Sequence, residues 1–336
     1  MRADQGVIPI FCMVSYLSLI AYESFNYLTK SDPSVARTLA LEYGSVVAQS
    51  RHRIKLFDDS RLGMDGVSKY FGETLASAHQ RRFLGNTWLP FARRWETDLG
   101  LYIYAGRLIS TTHVAHFNLG TAPSMLDENP RELLRGIGAD MGRYFGGLAK
   151  DLDWYGQSFL MSIESSKLVS QDVRSWDYYG RAFGGGLNVG LAAALTAFCC
   201  SMNTLDTMLP LDNSKASDET SFKLRFVTLY HVLAGLRELL NSPDSEFTDK
   251  PRIPLSDIDS DPISALFLRP SAKLLRNTLV HYGLDSRLPM GSIDPSQPLA
   301  GLVGIYYDDL DFAELSTLLK QHTHRVARLI DDWAAS

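Results

Sequence analysis

The chain has 336 residues, 45% hydrophobic and 21% charged, with a formal net charge of −5. That balance excludes a disordered or collagen-like chain and supplies enough apolar mass for one large domain or two. An acidic chain does not coat nucleic acid by charge alone, although 23 of its 33 basic residues are arginine, the side chain suited to forked contacts with carboxylate or phosphate.

The three cysteines are Cys12 and the adjacent Cys199 and Cys200. They make no disulfide framework and no paired zinc spacing, which implies a reducing, cytoplasmic setting. The first apolar run, residues 7–22, is interrupted by Pro9, Ser15 and Ser18 and falls short of the roughly 20 residues of a bilayer span. Asp4 and the lack of a small-residue cleavage pattern argue against a signal peptide. No membrane association is expected.

Helical punctuation then recurs. Ser31-Asp32-Pro33 reads as a cap and first-turn proline ahead of Val35, Leu39, Tyr43 and Val46 on one face. Asn129-Pro130 opens a second helix carrying Leu134, Ile137, Met141, Phe145 and Leu148. Strand signals are confined to residues 101–104 and 302–307. Polar segments at 121–129, 211–219, 241–261 and 285–301 read as loops. Gly184-Gly185-Gly186 suggests a boundary near residue 180, dividing the chain into an N-terminal helical region, 1–180, and a C-terminal unit, 181–336.

Four helical stretches are expected in that unit: 187–209, 220–240, 262–282 with a break at Pro270, and 311–335. The last opens with Asp311 and Glu314 spaced as a capping box and carries the stripe Leu315, Leu319, His322, Val326, Leu329, Trp333. The expected fold class is all-α, a helical bundle.

Several chemistries lack their residues. No Gly-Lys pair supports a phosphate-binding loop, and neither a zinc-binding H-E-x-x-H nor a G-x-S-x-G elbow occurs. Gly136, Gly138 and Gly142 miss the dinucleotide spacing and sit in a helical pattern. Asp257, Asp259 and Asp261 begin like a calcium loop, but Pro262 and Leu268 stand where glycine and glutamate are needed. His322 and His324 point to opposite sides of one helix, with His322 on the core stripe. No metal and no cofactor are expected.

The clearest chemical signal is Ser271–Leu284, SAKLLRNTLVHYGL. Pro270 fits the first turn and Gly283 the C-terminal cap. Leu274, Leu275, Thr278, Leu279 and Tyr282 are expected to pack, leaving Arg276, Asn277 and His281 as a polar group at the helix end. Arg276 and His281 are five apart, about 500° of rotation, and so lie about 140° out of line. Two other pairs, Arg107 with His113 and Arg225 with His231, are each about 120° out of line and are read as structural.

This segment resembles the HEPN superfamily, whose motif is Arg, four to six residues, then His, commonly with Asn after the Arg. The motif lies in the third helix of a four-helix bundle, as here. The resemblance covers residues 185–336 and does not reach the N-terminal half. It implies a metal-independent RNA endonuclease of toxin or antiviral-defence type, acting as a homodimer on RNA under an antitoxin or regulatory partner. Arg276 would hold the scissile phosphate, Asn277 would orient it or the histidine, and His281 would act as general acid or base while the 2′-hydroxyl attacks. The alternative is a non-catalytic HEPN-like module for partner or nucleotide binding and oligomerisation.

Overall fold

The structure, a computed structural model, describes residues 7–55, 63–120, 130–151, 163–209, 215–241, 249–281, 291, 293–294 and 296–336. The expected loop at 121–129, parts of those at 211–219, 241–261 and 285–301, and the Tyr282–Gly283 helix end lie outside these residues.

The fold is mainly helical. The first helices are α1 (Val7–Ser31), α2 (Pro33–Thr38), α3 (Gly44–Arg53) and α4 (Gly63–Lys69). A π-helical stretch, Tyr70–Ala76, runs from α4 into α5 (Ser77–Phe83). Then come α6 (Thr112–Leu119), α7 (Pro130–Asp151), α8 (Ser175–Tyr179), α9 (Val189–Met208) and α10 (Lys215–Asn241). The last are α11 (Asp249–Asp259), α12 (Pro262–Leu268), α13 (Pro270–His281), α14 (Pro298–Tyr306) and α15 (Phe312–Ala334).

One departure from an all-α fold is a small antiparallel sheet in the order β2-β1-β3, from β1 (Leu99–Tyr104), β2 (Arg107–Thr111) and β3 (Leu168–Val173). Its hairpin turns at Ala105 and Gly106, both at positive φ, as a two-residue turn matching the strand twist requires.

The main core gathers residues on both sides of position 180, from Met13 and Phe71 to Phe198, Phe226 and Trp333. Its axis is α9, apolar all round and buried along almost its whole length, the signature of a helix enclosed by others. It is also the one helix among the described residues long and apolar enough to cross a membrane. Gly190 lets it meet α4 closely, since a Cβ there would lie 2.0 Å from the Ser68 carbonyl oxygen. A second core joins Val14 and Ala21 of α1 to Val47 of α3 and to Ile137, Met141 and Tyr144 of α7.

Several expectations need correcting. The helix expected to run through Val35–Val46 breaks, because the buried Asp140 carboxylate accepts the backbone N–H groups of Glu42 (3.2 Å) and Tyr43 (2.9 Å) and restarts the chain as α3. The segments 215–219, 249–259 and 298–301, read as loops, are helical, and of the run 302–307, read as a strand, residues 302–306 continue α14 and Tyr307 caps it. The four helical stretches expected after residue 181 are present as α9, α10, the α12–α13 pair and α15, but α11 and α14 stand between them, so α13 is not the third helix of a simple four-helix array. The break falls where expected: proline disfavours helical backbone before it, and Arg269 is extended (φ −62°, ψ 158°) ahead of Pro270. The Asp311–Glu314 capping box is formed.

Candidate functional site

The bend at Arg269–Pro270 sets the direction of α13. Arg269 secures it by donating to the Asp309 carboxylate (2.8 and 3.2 Å) and lying over the Tyr307 ring at 3.9 Å. So aimed, α13 packs on α10 and its C-terminal end reaches α1.

The helix faces are not those the sequence suggested. Leu274, expected to pack, is exposed, whereas Arg276, expected on the polar face, is only 5% exposed. Its guanidinium lies over the Tyr230 ring of α10 at 4.8 Å, and its Nη1 donates to Asn277 Oδ1 at 2.7 Å. An arginine stem is apolar and its planar head stacks on aromatic faces, so a partner helix offering a ring can take it inside.

His281 is exposed on the other side of the helix. Its Nδ1 lies 3.0 Å from Nη2 of Arg51 on α3. Arginine has no acceptor atom, so Nδ1 accepts, and the neutral imidazole carries its proton on Nε2. Arg51 is 6% exposed, ion-pairs with the buried Glu23 of α1 and lies over the Tyr22 ring at 5.0 Å. Partial burial and the Arg51 charge hold the His281 pKa below the ordinary imidazole value, Glu23 opposes them, and Lys55 and Arg276 lower it further. Arg276 and His281 thus share one electrostatic neighbourhood while occupying different helix faces, as the 140° offset requires.

The same field reaches Lys223 on α10. Burial brings its ammonium down to about 7, with the Glu23 carboxylate working the other way. One buried carboxylate therefore balances cations contributed by α3 and α10.

The motif identified Arg276, Asn277 and His281 but not Glu23, Arg51 or Lys223, each of which carried a signal. Glu23 continues the buried stripe of Tyr16 and Leu19, and Arg51 falls between Val47 and Ile54. Lys223 stands one turn before Val227. A charge on an apolar stripe announces a buried ion pair or a site.

The other pairs are structural. Arg107 on β2 binds Asp206 and Asn203 of α9 and Asp331 of α15 (3.3 Å), tying the sheet to both helices. His113 is fully buried with Nδ1 3.1 Å from the Tyr179 hydroxyl. Arg225 is buried and donates to the Leu209 carbonyl at 3.2 Å, and His231 lies in the core. His322 bonds Ser264 (2.9 Å) inside the bundle, while His324 faces out beside Asp206. Among the described residues, no three His, Cys, Asp or Glu side chains are arranged to hold a metal ion.

No protein-family model matches the chain, and no curated protein or solved structure matches it either.

Proposed function

We propose that the chain is a cytoplasmic endoribonuclease with a HEPN-like C-terminal unit, in which His281 works with Arg51 as well as with Arg276 and Asn277. The observation that carries this reading is an exposed imidazole held at 3.0 Å by a buried guanidinium that is itself anchored on a buried carboxylate. A surface histidine that only covers a helix end needs no such support.

The arrangement suits a phosphodiester. At rest His281 presents an Nε2–H donor beside a surplus of positive charge, which attracts a phosphate anion. A bound phosphate competes for Arg51 and draws it off Nδ1. The anion also reverses the local field, so the imidazole gains affinity for a second proton. The imidazolium then donates its proton to the 5′ oxygen as the P–O5′ bond breaks, while the attacking 2′-hydroxyl gives up its proton to water as the P–O2′ bond forms. The products are a 2′,3′-cyclic phosphate and a free 5′-hydroxyl. Arg51 stabilises the charge on the phosphorane oxygens, while Arg276, buried on Tyr230, holds the helix end and its potential. A homodimer pairing two such ends belongs to this reading, as does an antitoxin or regulatory partner.

A second reading has its own observation. The burial of Arg276 against Tyr230 favours a binding or oligomerisation module, in which the motif arginine packs and does not touch phosphate.

RNA cleavage by the purified protein in EDTA separates them, comparing wild type with His281→Ala, Arg51→Met and Arg276→Lys, each checked for folding. The nuclease reading expects cyclic phosphate ends from wild type and at least about 100-fold loss in His281→Ala and Arg51→Met. Cleavage surviving in folded His281→Ala protein refutes it, and so does inert wild type across total RNA, tRNA and mRNA.

A further inference from the structure

Residues 81–95, RRFLGNTWLPFARRW, contain four arginines, four aromatic residues and no acid, in a chain of net charge −5. They run from the end of α5 through a short 3₁₀ turn, Pro90–Trp95, toward β1. Trp88 is 84% exposed, Phe91 60% and Trp95 63%. Three rings this large, exposed within eight residues of chain, place much apolar surface in water, which in a folded protein marks a contact surface.

The segment is braced from behind. The Glu96 carboxylate accepts the backbone N–H groups of Gly85 (2.6 Å) and Thr87 (2.7 Å), closing the loop on itself. Gly85 takes the positive φ that this closure needs. Arg93 Nε donates to the Thr87 carbonyl at 3.1 Å. Arg174, at the end of β3, donates to the carbonyls of Glu96 (3.1 Å) and Arg93. These contacts brace the loop from behind, and the rings are left outside together with the exposed Arg81, Arg93 and Arg94. Phe91 and Trp95 stand edge to face, centroids 6.4 Å apart, with the Arg94 guanidinium over the Trp95 ring at 4.5 Å.

We propose that this aromatic and arginine platform binds single-stranded nucleic acid, bases stacking on Trp88, Phe91 and Trp95 and backbone phosphates meeting Arg81, Arg93 and Arg94. Exposed rings offer a face to any base, and arginines interleaved with them offer the charge that a strand carries between bases. The interleaving favours a strand over a lipid surface. A ring entering a bilayer leaves its charges behind at the headgroups, whereas Arg94 sits on the ring itself. The platform shares no residue with the His281 neighbourhood, and its occupation requires no cleavage.

The test is fluorescence anisotropy of the full chain with a fluorescein-labelled oligodeoxythymidine of about 15 nucleotides. This probe lacks the 2′-hydroxyl, so its result is independent of any nuclease activity. Wild type is expected to bind, with tryptophan quenching, and to bind a duplex of the same length more weakly. Trp88→Ala/Trp95→Ala should weaken binding at least about tenfold. Arg81→Ala/Arg94→Ala should do the same and flatten the salt dependence between about 50 and 200 mM. All the altered side chains are exposed, and circular dichroism of each variant establishes that it folds. No binding by wild type, equal affinity for duplex, or affinity unchanged in both folded variants overturns the proposal. Binding to phosphatidylserine vesicles that Trp88→Ala/Trp95→Ala abolishes, without oligonucleotide binding, overturns it in favour of a membrane surface.

Discussion

Glu23→Gln tests the ion network behind His281 most directly, because it keeps the shape of the side chain and removes only its charge. Arg51 stays buried without its carboxylate, and breaking a buried pair on one side costs about 3–5 kcal/mol. With an unfolding entropy of about 2.1 cal/mol/K per residue, a chain of 336 residues converts that into a melting temperature lowered by roughly 4–7 °C. Glu23 also supports the His281 pKa against Arg51, so the variant's imidazole should titrate at still lower pH. Thermal melts and an NMR titration of the His281 ring protons read the two effects separately. Adding Arg51→Met should recover much of the lost stability, since the orphaned charge is then gone. A melting shift below about 1 °C, or full additivity in the double variant, would refute the buried-pair argument. An unmoved His281 titration would show that Glu23 does not govern the site.

Two further predictions concern stability. His79, His113 and His116 cluster between α5 and α6, the His79 ring 4.5 Å from that of His113 and 5.7 Å from that of His116. Burial and the neighbouring His116 lower the His79 pKa to about 4, so the folded state stays neutral while the unfolded chain takes up a proton below about 6.5. Stability should therefore fall by about 3 kcal/mol between pH 6.5 and 4 on account of His79. Urea midpoints across that range should fall less steeply in His79→Phe, and parallel curves would remove His79 as the cause. Asp311→Ala opens the capping box of α15, in which Asp311 accepts the Glu314 N–H at 2.8 Å and Glu314 returns the contact at 3.0 Å. It should cost about 1 kcal/mol in urea denaturation, and a loss below about 0.3 kcal/mol would show that packing alone fixes this helix start.

Local physics was readable wherever one residue type enforces one geometry. Pro270 divides α12 from α13 because the ring restricts the residue before it. Asp311 and Glu314 start α15 through their own side chains. The even apolar surface of α9 fits a helix enclosed by others. The run 302–307 reads as a strand although residues 302–306 are helical, because a six-residue apolar run has no distinguishable period. Residues 249–259 were misread because Pro254 and the surrounding polar residues resemble a loop, while burial of Leu255 and Ile258 decides for helix.

The candidate site divides along the same line. The order Arg276, Asn277, His281 on a proline-started helix lies in the sequence, and so does the angle that keeps Arg276 and His281 off one face. Which of them goes inside does not, because helix periodicity says nothing about what the neighbouring helix offers. Tyr230 supplies the ring that draws Arg276 into the core, and Leu274 is left in water in its place. Arg51 stands 230 positions before His281. Only the packing of α1 and α3 against the end of α13 brings that guanidinium to the imidazole, because a contact between distant segments is set by how helices cross and not by any spacing along the chain.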